Sequence, residues 1–368
     1  MTTASPFIPG LELARAFYEE AVRPILAAAF PDLVYSAGLI GTGSEVLGFD
    51  TAMSADHNWG PRVTLFLQAA DQARLAADID AALADALPPT FRGYSTHFVT
   101  AADEAGTVWM AAAAEGGPIR HRVHVMVLAD FLRDYTGADL PLPPTLLDWL
   151  LIPEQKLATL ARGGVFHDGL GQLLPLQAHL AYYPDEVWRY LMAAQWQRIG
   201  QEEAFVGRAG IVGDETGSAI IAARLVQDLM RLCFLQEQQY APYAKWFGSG
   251  FARLAAAGVL GAVMPAILQA QTWRERERHL CQAYTIVARR HNDLGITPPL
   301  PTAASPFHDR PFLVIHGERF ADALRETITD ARVRALPPIG KVEQFVESTD
   351  VLSVGVKCRQ LASLYSPH

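Results

Sequence analysis

Gly43-Ser44 and Asp56-His57-Asn58 are the residues whose types and order best suit chemistry. The pair follows an apolar run, Leu33 to Ile40, and the polar cluster precedes another, Val63 to Leu67. A glycine-serine turn after a strand offers backbone N–H groups and a hydroxyl to a phosphate, because glycine permits close backbone approach. Acidic or amide oxygens one residue apart in an extended segment can point at one metal ion, and Mg²⁺ takes hard oxygen ligands. Such sites activate an attacking oxygen and stabilise a leaving group. On the residues alone Asp56 reads as a turn or capping residue, with a metal-ligand role for Asp56 and Asn58 as the alternative.

Other residues offer chemistry in isolation. Along Ile119 to Leu128 the period of two puts Arg122, His124 and Met126 on one face and Val123, Val125 and Val127 on the other. His124 could serve as general base or ligand, or be a strand histidine satisfied by a carbonyl or by Asp130. His121 and His124 would point to opposite faces of that strand, which disfavours a shared zinc ion. Further on, Arg224 and Asp228 have the spacing of a helical ion pair. The alternative is a polar helix face in which Gln195, Arg198, Glu202, Arg224, Asp228 and Arg231 meet triphosphate or a cationic acceptor. Lys245, between Tyr243 and Trp246, is either a phosphate contact or a lysine stem lying over an aromatic surface. Arg208 and Asp214 are expected in a glycine-rich loop between two helices, where Asp214 would cap a helix. Neither G-x-S-x-G nor G-x-x-x-x-G-K-[ST] occurs.

These residues need elements to position them. The spacing predicts a helix over Leu11 to Phe30 bent at Pro24, then the two strands, then a helix over Asp71 to Leu87. Weaker strands are expected over 91–99 and 106–113, and a better one over 119–128. The proline-rich stretch Leu140 to Pro144 reads as a boundary. Beyond it, helical stripes run over 185–205, 216–239, 243–268 and 272–291, as in an antiparallel bundle. From Pro298 the pattern is mixed, with a strand at Phe312 to His316 and a helix at Ala321 to Thr329. The expected class is α+β: a mixed-sheet domain over 1–140, a helical bundle over 145–295 and a mixed segment over 296–368 packing on the rest.

With 368 residues, half hydrophobic and 19% charged, the chain has ample material for buried cores. A net charge of -9 disfavours a nucleic-acid groove, which needs a basic face. Three widely spaced cysteines suit a reducing compartment. The N-terminus lacks a basic start followed by an apolar core, and the longest apolar run, Leu254 to Leu268, is shorter than the ~20 residues of a membrane helix. A cytoplasmic protein without membrane contact is expected.

The order of strand, Gly43-Ser44, Asp56-x-Asn58 and strand resembles the nucleotidyltransferase fold of polymerase-beta-like and aminoglycoside-modifying enzymes. The segments Gly43 to Gly48 and Ser54 to Arg62 are more closely similar to an uncharacterised bacterial domain-of-unknown-function family of that superfamily. So are Gln201 to Glu203, Val206 to Arg208, Gly213 to Glu215 and Tyr243 to Trp246. The resemblance implies Mg²⁺-dependent transfer of a nucleoside monophosphate from a triphosphate, expected to be ATP, to a small polar acceptor. Gly43 and Ser44 would hold triphosphate oxygens, with Arg62, Arg208 and Lys245 as further contacts, and Asp56 would bind Mg²⁺. The second metal-binding acid of the motif falls at Asn58 and the third, the base, near His124. Those two departures motivate the alternative of a nucleotide-binding or regulatory protein that has lost catalysis.

Overall fold

The structure is a computed structural model and describes residues 7–55, 57–100, 107–114 and 116–366. The chain is α+β and forms two compact units: residues up to Pro143 with Lys156–Ala181, and Pro144–Gln155 with Tyr182–His368.

The first unit opens with α1 (Gly10–Phe17), a π-helical turn (Tyr18–Val22) and α2 (Arg23–Ala29), which run on from one another. The expected bend at Pro24 is this π turn. It places the proline in the first turn of α2, where its missing N–H leaves no ladder bond unmade. Next come β1 (Tyr35–Leu39), β2 (Arg62–Leu67) and α3 (Ala69–Ala86). A short hairpin follows, β3 (Phe98–Thr100) with β4 (Val108–Met110), then β5 (Arg122–Met126) and α4 (Leu128–Thr136). The chain passes through α5 (Leu146–Leu151) in the second unit and α6 (Glu154–Arg162), which returns to the first from Lys156 on; β6 (Gly164–Asp168) and α7 (Leu173–His179) then complete the first unit. The sheet order is β5-β2-β1-β6, with β5 parallel to β2 and the other neighbours antiparallel.

The two faces of this sheet differ as period two requires. Tyr35, Ala37, Val63, Leu65, Leu67 and Val123 bury one face against Leu13, Phe17, Val22, Leu26, Ile79 and Leu83. Each large aliphatic or aromatic side chain there contributes roughly 1.5–3 kcal/mol. The opposite face carries Arg62, Thr64 and Phe66 in register with Arg122, His124 and Met126. Phe131 of α4 packs edge-on against Phe66, at 5.5 Å between ring centroids, and covers one end of that face. The other end, where β1 runs into the glycine turn, carries the polar residues.

Strand β6 was not expected. Its Asp168 accepts the Ser36 hydroxyl at 2.7 Å and the backbone N–H groups of Gln172, Leu173 and Leu174, so it fixes the entry to α7. The boundary read near residue 140 is thus followed by a return, residues 156–181, that supplies an edge strand to the first sheet.

The second unit contains α8 (Asp185–Glu202), α9 (Phe205–Ile211), α10 (Glu215–Gln236), α11 (Ala244–Phe251), α12 (Ala257–Leu260), α13 (Val263–Gln269), α14 (Trp273–Asp293) and α15 (Gly317–Thr327). The helical stretch expected over 243–268, with a helix pair or a kinked helix over 254–268, is three short helices. The Glu237 carboxylate takes the N–H groups of Ala255 and Ala256 at 2.8 and 2.7 Å and holds the chain out of one continuous helix. Among the described residues no helix is long and apolar enough to cross a membrane. Asp214 caps α10, accepting from the Gly217 N–H at 2.7 Å. The expected pair Arg224–Asp228 does not form: Arg224 turns to Glu202, while buried Asp228 accepts from Arg198 at 2.8 Å and Gln195 at 3.0 Å.

Helices α8 and α15 approach closely. Trp196 stacks on Phe320 with centroids 4.2 Å apart, and a Cβ at Gly317 would meet the Trp196 carbonyl at 2.6 Å. Helix α15 begins earlier than expected because Glu203 accepts the N–H groups of Ile315, His316 and Gly317, at 2.6, 3.2 and 3.0 Å. The tail also belongs here: the Gln344 amide donates to the Leu191 carbonyl and to Gln195 Oε1, both at 3.0 Å.

Fully buried His291 gives this unit a pH dependence. The Trp196 indole N–H donates to His291 Nδ1 at 3.2 Å, which leaves the proton on Nε2, facing Thr297 Oγ1 at 3.0 Å. Burial pushes the imidazole down from 6.5 to about 4. A depressed histidine binds its proton only in the unfolded chain between those values, so stability falls as pH drops from 6.5 toward 4. The full loss is about 3 kcal/mol. Urea denaturation of His291→Gln at pH 7 and pH 5 is expected to show a shallower pH slope than the native chain; equal slopes would exclude this role.

Candidate functional site

Strand β1 leads past Ile40 into Gly41-Thr42-Gly43-Ser44, followed by a 3-10 turn, Glu45–Leu47. Gly43 has φ +144°, and any Cβ there would strike the Arg62 guanidinium and the Glu45 carboxylate. Only glycine therefore lets the turn pass across this ion pair. Arg62, the first residue of β2, donates through Nε to Glu45 Oε1 at 2.8 Å and through Nη2 to the Thr42 carbonyl at 2.6 Å. The Glu45 side chain is only 3% exposed, so its charge is compensated by Arg62 almost alone among the described residues.

Arg122 is in register with Arg62 on the same face of the parallel pair β2–β5. Its Nη1 donates to Asn58 Oδ1 at 3.1 Å, and its guanidinium lies over the Phe98 ring at 5.8 Å. Burial and the neighbouring Arg62 charge push the Arg122 guanidinium down to about 10, against the opposing pull of Glu45. His124, beside Thr64, is pushed down to about 4, first by burial and then by Arg122 and Arg62. His124 is exposed to solvent and neutral at pH 7. Two guanidiniums, one paired carboxylate and a neutral imidazole give the described cluster a net positive charge. That is a setting for an anion.

The expected site residues are distributed as follows. Gly43, Ser44, Arg62, Asn58 and His124 belong to the first unit. Arg62 and Asn58 share the cluster with Arg122, and His124 feels both guanidiniums. Asp56 lies outside the described residues. Asn58 has φ +54°, and one lone pair of its side-chain oxygen is engaged by Arg122. Arg208 and Lys245 belong to the second unit, where both are exposed and lie over the rings of Phe205 and Trp246, at 5.6 and 5.1 Å. His121 accepts from the Val123 N–H at 3.2 Å, and Asp130 pairs with Arg133 at 2.8 Å, so neither serves His124 as a hydrogen-bond partner.

Asp50, after the 3-10 turn, takes the Gly10 N–H at 2.7 Å and the Trp59 indole N–H at 3.0 Å through one oxygen. It anchors the loop to the start of α1. Sequence reading missed Glu45 and Arg122 as site residues. Glu45 adjoins Gly43-Ser44 and Arg122 shares the His124 face, so both signals were present.

Among the described residues, no group of three or more histidines, cysteines, aspartates and glutamates could hold a metal ion. The donors of the cluster, the Arg62 and Arg122 guanidiniums, suit phosphate oxygens.

Residues 149–247 match the model of a family described as a domain of unknown function (DUF4037). The matched stretch runs from α5 to α11 and includes β6, but not the turn or the arginine pair. No curated protein and no solved structure matches this chain.

Proposed function

We propose that the glycine turn with Arg62 and Arg122 binds the phosphates of a nucleoside triphosphate, and that the protein transfers a nucleoside monophosphate to a small polar acceptor. The observation that carries this reading is the pair of in-register arginines, partly buried beside a turn that only glycine can form. The nucleotidyltransferase superfamily assignment belongs to the same proposal. Charge-assisted bonds from guanidinium to phosphate are about twice as strong as neutral ones and hold the planar, bidentate geometry that orients a reacting phosphate. The turn supplies further donors. Mg²⁺ bound with the nucleotide supplies charge neutralisation and activation of the attacking oxygen. In this reading neutral His124, on the strand face that carries Arg122, accepts the proton, and the negative charge of a bound triphosphate raises its pKa toward the range a general base needs.

A second reading is nucleotide binding without transfer. It is favoured by Asn58, already held by Arg122, and by histidine rather than a carboxylate beside Thr64.

Thermal unfolding of the full chain with ATP, GTP, CTP or UTP, with and without Mg²⁺, tests both. A ligand at about 100 times its dissociation constant is expected to stabilise the native chain by about 2.7 kcal/mol. A Mg²⁺-dependent rise, with transfer of labelled nucleotide abolished in Asp56→Ala, supports the transferase. A rise indifferent to Mg²⁺ and without transfer supports binding alone. No shift with any nucleotide removes both.

A further inference from the structure

We propose that Trp109 and His57 form the platform on which the base of the nucleotide stacks, an inference that rests on the phosphate reading above. Trp109 is 40% exposed on the two-stranded β3–β4 hairpin. Its neighbour Met110 turns inward, with Sδ beside Gly60, so the alternation of the strand leaves the indole on the outside. His57 pairs with Trp109 as an antiparallel bridge, and the two rings lie 5.7 Å apart at 57°. The hairpin is fastened to the phosphate cluster at this point. The Asn58 N–H donates to the Val108 carbonyl at 2.9 Å, while the Asn58 side chain receives Arg122 at 3.1 Å. One residue therefore links the aromatic pair to the guanidiniums.

An exposed indole on a fixed strand presents a flat apolar surface at small entropic loss. Every base has a π-face to lay on it, and stacking strengthens with ring area, which favours a purine nucleoside triphosphate.

The test compares ATP with inorganic tripolyphosphate by calorimetry, with Mg²⁺, on the full chain and on Trp109→Ala and Trp109→Phe. Unliganded melting temperatures check that each variant is folded. Trp109→Ala is expected to weaken ATP roughly 5- to 150-fold while changing tripolyphosphate by less than about twofold, and Trp109→Phe to recover most of the loss. Unchanged ATP affinity in Trp109→Ala overturns the platform and leaves the phosphate site standing. Equal loss of both ligands overturns it too, since Trp109 would then only hold the hairpin. A native chain that binds neither ligand removes the phosphate reading and the platform together.

Discussion

Lys341→Met is expected to lower the unfolding free energy by about 3–5 kcal/mol at pH 7, although it adds no bulk and touches no candidate site residue. Lys341 is 1% exposed. Its ammonium donates to the Ile152 carbonyl at 3.0 Å, pairs with Glu343 at 3.1 Å and lies over the Tyr183 ring at 5.5 Å. Glu154 completes the cluster, accepting from the Tyr183 hydroxyl at 3.0 Å and from Arg231 at 3.1 Å, while its own N–H donates to Glu343. Two carboxylates face two cations. Removing one cation leaves a carboxylate uncompensated, and it must take up a proton to stay buried.

Burial already drives the Glu154 carboxyl above its ordinary 4.5, with Lys341 and Arg231 opposing that rise and Glu343 adding to it. A carboxyl raised on folding contributes stability below its unfolded value and loses it as pH climbs through the folded value. The deficit of Lys341→Met should therefore be smaller at pH 5 than at pH 7. Lys341→Met with Glu343→Gln removes both charges and keeps an acceptor for the Glu154 N–H, so it should recover most of the loss. Urea midpoints at unchanged slope measure all three chains. A single variant as stable as the native chain would contradict this account. So would a double variant no better than the single one.

What the sequence made legible followed from local period. Alternation placed Arg122 and His124 on one face of a strand, and the glycine-serine turn stood out because few residues could do its task. Strand β6 escaped because its five residues are held by pairing with β1, distant in sequence, rather than by alternation of their own. Lys341 and Glu343 lay in a tail that read as irregular, since burial there depends on partners at Ile152 and Glu154. Spacing suggested Arg224–Asp228, but α8 offers each a partner with better geometry, Glu202 for one and Arg198 for the other. Asp50 and Glu45 share a lesson. Each acid near the glycine turn is taken by a structural donor, a helix N–H for Asp50 and a guanidinium for Glu45.

Arg62→Met and Arg122→Met should part in a way that separates architecture from ligand binding. Arg62 compensates Glu45, 3% exposed, so its removal strands a buried carboxylate and is expected to lower stability by about 3–5 kcal/mol. Arg122 leaves no described carboxylate behind. Its loss forfeits the bond to Asn58 and the contact over Phe98, yet relieves repulsion from Arg62, so unliganded stability is expected to stay within about 1 kcal/mol of the native chain. Binding should respond oppositely. A hydrogen bond to a charged group is worth roughly 1.5–3 kcal/mol, so Arg122→Met is expected to weaken ATP and tripolyphosphate alike by roughly 10- to 150-fold. A readout without ligand accompanies it. Arg122 is the largest charge holding His124 down at about 4, so the His124 NMR titration midpoint should move up in Arg122→Met. A folded Arg122→Met that binds both ligands at native affinity would remove the arginine pair from the site. An unmoved His124 midpoint would show that the Arg122 charge does not depress the imidazole.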